Sequence, residues 1–300
     1  MLKISIVTPS FNQGPFLEQT IRSVLQQGYP NLEYIIVDGG SDDESVRIIK
    51  KYEKQLTYWV SEPDSGQYNA INKGFLKATG DIMAWINSDD MYTPWAFHVV
   101  SEIFAKFPQI EWLTTAWPLS WGISDLPTGC GYAGVYSSAS FFKGANLPRK
   151  KGFYRNFIQQ ESTFWRRSLW ERAGGRLNES FNLAGDFELW FRFFRLTDLY
   201  AVNVPLGGFR QHQGQKTARL FPTYLEEALK VLENNSCKLY GPFHSLMRRI
   251  FWSAFGRRSL KRLPASLASV LCRIGLLYRA PLCLYKGETE GWQIVHDYVI

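Results

Sequence analysis

The first 116 residues alternate between hydrophobic patterns typical of strands and patterns typical of helices. Short apolar runs that suit buried strands occupy residues 4–7, 34–37, 56–60 and 82–86. Between them, apolar residues recur at helical spacing, as they do over residues 17–25. Because such alternation is typical of βα units, we predict an α/β fold with a mainly parallel central sheet flanked by helices.

The pattern then breaks into a segment, residues 117–151, that is rich in glycine, serine, proline and aromatic residues. An irregular segment of this length inside a compact domain is uncommon and is often functional. We predict that it faces the substrate, with a disordered insertion as the alternative. A strand at 162–165, a helix at 186–196 and a strand at 199–204 are predicted to follow.

Beyond about residue 221 the chain becomes basic and its apolar spacing becomes helical. We therefore divide it into an α/β domain, residues 1–220, and a basic helical C-terminal extension, residues 221–300. In the extension, aromatic residues alternate with Arg248, Arg249, Arg257, Arg258, Lys261, Arg262, Arg273 and Arg279. This pattern fits a helix lying at a membrane surface, and equally a pair of helices packed on the α/β domain or in a homodimer.

Several common sites are excluded by what the sequence lacks. The loop after the first strand, residues 8–14, reads TPSFNQG and is neither a dinucleotide-binding nor a P-loop motif. The motifs GxSxG and HExxH, which mark many hydrolases and zinc proteases, are also absent. No lysine and arginine block and no zinc-finger or RNA-binding signature indicates nucleic acid as a partner.

Charge and cysteine usage indicate the surroundings of the protein. The formal net charge of +7 favours anionic partners such as phosphates or acidic lipids. The four cysteines are scattered without a CxxC pair, which favours a reducing cytosol. The apolar run at residues 1–7 is too short for a signal peptide or a membrane span. We therefore expect a cytoplasmic protein, with a peripheral position at the inner face of the membrane if the C-terminal helices bind lipid.

Three carboxylates follow predicted strands. Asp38 comes directly after the second strand, and Asp89 and Asp90 follow the fourth. Ligands of open parallel sheets bind beyond the carboxyl ends of the strands, so these residues are expected at one crevice. Asp38 alone is equally well explained as a turn former. The adjacent pair repels itself unless a positive group lies beside it, and a divalent cation shared with substrate phosphates would supply that group.

Four runs of residues resemble, in order, the motifs of family 2 glycosyltransferases of the GT-A fold. They are IVTPSFN at 6–12, IVDGGSDD at 36–43, SEPDSGQYNAINKG at 61–74 and NSDD at 87–90. The resemblance extends over about residues 3–217. It implies the GT-A fold and an inverting enzyme of the type that makes bacterial polysaccharides or lipid-linked glycans.

The resemblance implies contacts to the nucleotide sugar for eight residues. The loop Thr8, Pro9 and Ser10 would hold the base and ribose, and Asp38 would accept a hydrogen bond from the base. Two residues, Asp64 and Gln67, fall in the segment that lines the nucleotide pocket. The remaining two are Ser88 and Asp90.

The metal site is implied at residues 87–89, which stand where the family has its DxD motif. Asp89 would bind Mn²⁺ or Mg²⁺, whereas Asn87 departs from the aspartate that the motif has at its first position. His212 would be a further metal or phosphate ligand. Alternatively, its side chain only forms hydrogen bonds within its loop. Residues 209–212, with Lys216 and Thr217, resemble the segment that closes over the donor.

The run AGDFELWFR at 184–192 resembles the second acidic motif of the family, whose aspartate is the general base. The resemblance therefore assigns the base to Asp186, which would otherwise be explained as an acid favoured at a helix N-terminus. The more frequent first acid of that motif is replaced by Gly185. Residues 160–161 resemble a region near the acceptor.

Together these motifs predict an inverting glycosyltransferase that moves a sugar from a nucleotide-diphosphate donor, with UDP favoured, to a hydroxyl of a glycan or lipid-linked acceptor. The process would belong to cell-surface polysaccharide or glycolipid synthesis. One alternative is a nucleotidyltransferase, which would be expected to carry a glycine-rich, basic triphosphate loop after the first strand. The other is an inactive protein of the same fold that binds sugars or nucleotides.

Overall fold

The computed structural model describes residues 1–147, 157–212, 214–215, 219–247 and 264–299. Strands and helices alternate along the first 116 residues as predicted. In chain order they are β1 Ile4–Ser10, α1 Gly14–Leu25, β2 Leu32–Asp38, α2 Ser45–Tyr52, β3 Tyr58–Ser61, α3 Gln67–Lys77, β4 Ile82–Trp85, β5 Met91–Tyr92, α4 Ala96–Lys106 and β6 Trp112–Thr115.

The rest of the described chain contains shorter strands and several helices. They are β7 Leu119–Trp121, β8 Pro127–Cys130, α5 Ser138–Phe141, β9 Phe164–Arg166, α6 Arg167–Arg172, α7 Gly185–Phe194, β10 Tyr200–Val202, β11 Gly207–Arg210, α8 Phe221–Asn234, α9 Ala265–Arg273, β12 Tyr278–Tyr285 and β13 Trp292–Val299.

Nine of the described strands form one sheet, in the order β13-β12-β10-β6-β9-β4-β1-β2-β3. Strand β1 pairs in parallel with β2 and with β4, whereas β9 is antiparallel to both of its neighbours. Because β1, β2 and β4 run in the same direction, the loops that follow them meet at one edge of the sheet. This edge is where the candidate site lies.

A second sheet corrects the prediction of an irregular segment at 117–151. Strands β7 and β8 from this segment join β5 and β11 in the order β5-β11-β7-β8. Strand β11 is antiparallel to β5, which directly follows Asp90, and it ends at Arg210. The sheet therefore brings Arg210 next to the acidic pair. Residues 148–151 lie outside the described part of the chain.

The C-terminal segment was predicted to be helical, but it is only partly so. Helices α8 and α9 are present, but residues 278–285 and 292–299 form an antiparallel hairpin. Its first strand pairs in parallel with β10 and so extends the central sheet. Pro281 has no amide hydrogen for a helix, and the apolar run around it is buried against the sheet instead. The division of the chain at residue 220 stays a prediction.

Most of the large aromatic residues pack in the core. On one face of the sheet, four buried indoles form a continuous cluster, with Trp85 stacked on Trp190 at 6.0 Å between ring centroids. The ring centroid of Trp165 lies 5.5 Å from that of Trp85, and the centroid of Trp112 lies 5.4 Å from that of Trp190. Because Trp190 belongs to α7, this cluster fixes the helix that carries Asp186 against the sheet.

Candidate active site

A cavity of about 450 Å³ opens beyond the carboxyl ends of β1, β2 and β4. Its volume is within the range of pockets that bind small molecules. It is lined by Pro9, Ser10, Phe11, Gln13, Gly39, Pro63, Asp64, Ser65, Gly66, Gln67, Ala70, Asn87, Ser88, Asp89, Phe209, Gly214 and Gln215. The cavity therefore combines the loops after three parallel strands with residues from the end of β11 and the loop beyond it.

Six of the predicted site residues line this cavity: Pro9, Ser10, Asp64, Gln67, Ser88 and Asp89. The carboxylate of Asp64 accepts a hydrogen bond from the amide of Gly66 at 2.7 Å, which orders the loop before α3. A side chain at Gly39 would place its Cβ 2.9 Å from the Asp64 carboxylate, so glycine is needed for this close approach.

Thr8 and Asp38 are fully buried and are not among the residues that line the cavity, so their direct contact with the nucleotide stays a prediction. The carboxylate of Asp38 accepts hydrogen bonds from the amides of Gly40 and Ser41 at 3.1 and 2.8 Å. The hydroxyls of Ser41 and Ser61 donate to it at 2.6 and 2.7 Å. Asp38 therefore shapes the loop after β2 from beneath, because these four donors already engage both of its oxygens.

Asp90 is likewise fully buried and is not among the residues that line the cavity, so its contact with the nucleotide sugar also stays a prediction. The side chain of Asn87 donates from Nδ2 to Asp90 Oδ2 at 3.1 Å, and its Oδ1 accepts from Gln67 Nε2 at 2.7 Å. Asn87 thus links a residue of the cavity wall to a buried carboxylate. An aspartate at position 87 would lack the N–H donor for this link, which accounts for the departure from the DxD pattern.

Asp89 lines the cavity, and His212, which is not among the lining residues, lies beside Asp89. Asp89 Oδ2 is 3.0 Å from His212 Nε2, while His212 Nδ1 accepts from the amide of Gly214 at 3.2 Å. A carboxylate suits Mg²⁺ or Mn²⁺, and one imidazole beside it leaves further positions for phosphate oxygens and water. No cluster of three or more His, Cys, Asp or Glu that could hold a metal occurs among the described residues. The donor set therefore fits an ion shared with a phosphorylated ligand.

Arg210 supplies a positive charge next to the acidic pair. Its guanidinium is fully buried, donates from Nε to the carbonyl of Asp89 at 2.6 Å and forms an ion pair with Asp125. Its backbone amide donates to Asp90 Oδ1 at 2.9 Å. The guanidinium also lies over the ring of Phe16, 5.2 Å from its centroid. The protein therefore places a guanidinium and a backbone donor beside the pair, although burial and the charge of Asp89 raise the pKa of Asp90 well above its usual value.

Asp186 lies in the first turn of α7 and is buried, but it does not line the cavity. Its carboxylate accepts from the amide of Phe187 at 2.7 Å and from the hydroxyl of Tyr224 at 3.1 and 3.3 Å. Burial raises the pKa of Asp186 to about 7, although these two donors lower it. A carboxyl group with such a pKa is suited to accept a proton near neutral pH.

Glu161 is a third buried carboxyl group at the site. Burial, together with the charges of Asp186 and Asp89, raises its pKa to about 8. Both carboxylates are therefore close enough to Glu161 for their charges to act on it. Its Oε1 is buried without a hydrogen-bond partner among the described residues. The sequence had indicated residues 160–161 as near an acceptor, but not this unpaired carboxyl group.

Gly185 has a steric reason for replacing an acidic residue. A Cβ at this position would lie 2.6 Å from the ring of Tyr68. The Tyr68 hydroxyl accepts from the amide of Gly185 at 2.8 Å and donates to the carbonyl of Leu183 at 2.5 Å. Tyr68 therefore occupies the space that a side chain at position 185 would need.

Three residues that contact the predicted site residues were missed as such by sequence reasoning: Tyr68, Arg210 and Tyr224. Tyr224 contacts Asp186 across 38 residues of sequence, and Arg210 contacts Asp89 across 121 residues. No short motif contains such pairs. Lys216 and Thr217, which were predicted to belong to the closing segment, lie outside the described residues.

Comparison with a family model identifies the first third of the chain. Residues 5–113 match the model of glycosyl transferase family 2, which confirms the predicted resemblance. The matched segment contains the loops after β1, β2 and β4 that form one side of the cavity.

Similar proteins of other organisms carry glycosyltransferase names. An uncharacterized glycosyltransferase of Mycobacterium tuberculosis is 40% identical over 91 residues, covering 30% of this chain and 35% of that protein. The putative teichuronic acid biosynthesis glycosyltransferase TuaG of Bacillus subtilis is 38% identical over 92 residues, covering 30% and 36%. The chain therefore matches about a third of the length of these relatives.

Solved structures confirm the predicted GT-A fold. Residues 1–349 of S. aureus TarS, in complex with UDP-GlcNAc, superpose with a TM-score of 0.61 at 13% identity, covering 88% of this chain and 77% of that one. The glucosyl-3-phosphoglycerate synthase of Mycobacterium tuberculosis, in complex with Mn²⁺, UDP and phosphoglyceric acid, gives a TM-score of 0.52 at 18% identity, covering 80% of each chain. At these identities the likeness concerns the fold alone.

Proposed function

We propose that this chain, whose N-terminal motifs match family 2 glycosyltransferases, is an inverting, metal-dependent glycosyltransferase that uses a nucleotide-diphosphate sugar. The observation that carries the proposal is the arrangement of carboxylates at one sheet edge. Asp89 lines a cavity of nucleotide-sugar size, and Asp186 is a buried acid whose charge, like that of Asp89, acts on Glu161.

The proposed reaction is a single displacement at the anomeric carbon. Asp186 accepts the proton of an acceptor hydroxyl, whose oxygen forms the new bond to the anomeric carbon as the bond to the diphosphate breaks. Attack opposite to the leaving group inverts the configuration. Asp89 and His212 would hold a Mn²⁺ or Mg²⁺ ion, which would neutralise the departing diphosphate. Holding the acceptor hydroxyl close to both the donor and the base would further increase the rate of transfer.

The cavity does not support a nucleotidyltransferase, because no lysine or arginine occurs among the described residues that line it and such an enzyme is expected to have a basic triphosphate loop there. A UDP-sugar is our preferred donor, since the TarS structure contains UDP-GlcNAc and the synthase structure contains UDP and Mn²⁺. TuaG, named for teichuronic acid biosynthesis, supports a cell-wall glycan or lipid-linked acceptor.

Isothermal titration calorimetry with UDP-, GDP- and dTDP-sugars, with Mn²⁺ and with EDTA, tests the donor and the metal together. We expect one donor to bind, and EDTA or Asp89→Ala to weaken it by at least about tenfold, because the shared ion then loses its protein carboxylate. The matched control Asp42→Ala removes an exposed carboxylate outside the cavity and should bind like the wild type. Binding that is equal with Mn²⁺ and EDTA, or absent for all three donors, would contradict the proposal.

We further propose a peripheral position at an acidic membrane surface. Leu267 and Val270 of α9, and Ile274 directly after it, are exposed by 41, 51 and 52%, whereas Ala268 and Leu271 are buried. Arg273 ends the helix, and the segment 248–262 adds six Lys and Arg residues in sequence. An apolar stripe beside basic residues is suited to anionic lipid headgroups. None of the described helices is long and apolar enough to cross a bilayer.

Flotation with lipid vesicles tests this surface. We expect the protein to float with phosphatidylglycerol-containing vesicles but not with pure phosphatidylcholine, and Val270→Asp with Ile274→Asp to abolish flotation. The matched control Leu76→Asp changes an apolar residue on α3 that is 83% exposed and should float normally. A wild-type protein that stays in the bottom fraction and sediments as a dimer would assign this face to a homodimer instead.

A further inference from the structure

Helix α8 packs against α7 and holds the turn before Asp186. Glu227 accepts hydrogen bonds from the amides of Asn182, Leu183 and Ala184, each at 2.9 Å. Amides at the start of a helix lack partners within the helix, so an acceptor from another element has to satisfy them. Glu227 therefore caps the helix that carries Asp186 from a position 43 residues beyond Ala184.

Tyr224, one turn before Glu227, reaches the carboxylate itself. Its hydroxyl lies 3.1 Å from Oδ1 and 3.3 Å from Oδ2 of Asp186, so it donates between the two oxygens. The ring is buried and packs on Phe157 at 5.8 Å between centroids. A buried ring has few alternative positions, so the hydroxyl is a fixed donor. A hydrogen bond to an ionised carboxylate favours that form.

The other titratable groups around Asp186 act in the opposite direction or elsewhere. The negative charge of Glu227 on α8 raises the pKa of Asp186, and Glu161 before β9 is a buried carboxyl group whose own pKa the charge of Asp186 raises. Tyr68 on α3 uses its hydroxyl for Leu183 and Gly185. Of the described hydrogen bonds to the Asp186 side chain, only the one from Tyr224 comes from another side chain.

We propose that Tyr224 is a positioning residue for the general base, an inference that rests on the proposed function. Its hydroxyl holds the Asp186 carboxylate in one orientation and in the ionised form, against burial and two neighbouring carboxyl groups. Glu227 fixes the backbone on which that carboxylate stands. Helix α8 of the C-terminal segment therefore supplies the contacts that position the proton-accepting carboxylate.

The test is an NMR titration of the full-length protein labelled with ¹³C at the aspartate carboxyl carbons. The Asp186 resonance is identified by its loss in Asp186→Asn. We expect Tyr224→Phe, which removes only the hydroxyl, to raise the titration midpoint of Asp186 by about one pH unit. The matched control Tyr285→Phe removes a hydroxyl at an exposed position of β12 and should leave the midpoint unchanged. An unchanged midpoint in a folded Tyr224→Phe protein would overturn the inference.

A second probe decides the matter if Tyr224→Phe does not fold. Incorporating 3-fluorotyrosine at position 224 keeps the ring and the hydroxyl but makes the hydroxyl more acidic, and therefore a stronger donor. We expect the Asp186 midpoint to fall below the wild-type value. A midpoint equal to that of the wild type would contradict a direct hydrogen bond to the carboxylate.

Activity separates this inference from the proposed function. The rate of donor hydrolysis is measured against pH, with the donor selected by calorimetry. The midpoint of this pH profile should move upward in Tyr224→Phe by the same amount as the NMR midpoint, and KM for the donor should not change. If the midpoint moves in the NMR titration but Asp186→Asn keeps its turnover, the positioning contact exists and the base assignment fails. If Asp186→Asn is inactive and the midpoint does not move, the base assignment stands and the role of Tyr224 fails.

Discussion

Asp186→Asn is expected to lower sugar transfer by a factor of about 10² to 10⁴, the contribution typical of a general base, while nucleotide-sugar binding stays at the wild-type level. The asparagine keeps an oxygen that can accept from Phe187 and Tyr224, so the turn before α7 should not change. Binding should survive because Asp186 does not line the donor cavity. Release of nucleoside diphosphate and calorimetric donor binding measure the two effects separately.

The pH dependence of the wild-type rate gives the same assignment a second readout. Asp186 accepts a proton only when ionised, and burial raises its pKa to about 7. The rate should therefore rise with pH through about 7 and level off above it, and the residual rate of Asp186→Asn should lack this limb. The matched control Glu188→Gln removes a carboxylate two residues further along α7, where it pairs with Arg192, and should keep full turnover. Wild-type turnover in Asp186→Asn would refute the base.

The donor side of the site could be predicted because its residues occur in short runs. Pro9, Ser10, Asp64 and Asp89 each follow or flank a parallel strand, and parallel strands deliver such residues to one edge. Sequence patterns do not distinguish a side chain that faces a cavity from one that supports the loop beneath it. This is why the sequence could not show that serine and backbone donors engage Asp38, which was assigned to the nucleotide.

The base side depends on contacts between distant parts of the chain. Asp186 was found through its motif, but its environment comes from Tyr68, Glu161 and Tyr224 on three separate elements. The replacement of an acid by Gly185 likewise has its cause 117 residues earlier, in the ring of Tyr68. The C-terminal hairpin was missed because helical spacing of apolar residues through position 278 was given more weight than Pro281.

The sequence indicated that the acidic pair needs a positive group nearby, but it did not identify Arg210 as that group. Adjacent carboxylates at 89 and 90 do require a positive group, and a divalent cation was the predicted one. The fold supplies another in Arg210, which approaches from the second sheet because β11 pairs with β5. A cation at Asp89 and His212 would therefore act beside a site that is already partly neutralised, which would leave the ion's charge available for the diphosphate.

Replacing Arg210 is expected to have the largest effect on stability among single substitutions at the site. Arg210→Met keeps the length and apolar stem of the side chain but removes a guanidinium that is 0% exposed. The carbonyls of Asp89 and Gly122 lose their donor, whereas the ion-pair partner Asp125 is 42% exposed and can be solvated. Leaving a buried acceptor without its donor typically costs about 1–3 kcal/mol. We expect a loss of this size in the free energy of unfolding, measured by urea denaturation.

The matched control is Arg47→Met, which removes a guanidinium from an exposed pair with Glu44 on α2 and should leave the urea midpoint almost unchanged. The two variants differ in burial rather than in chemistry, so their difference isolates the cost of removing the buried donors. An Arg210→Met protein as stable as the wild type would mean that neither the two carbonyls nor the acidic pair depends on this guanidinium.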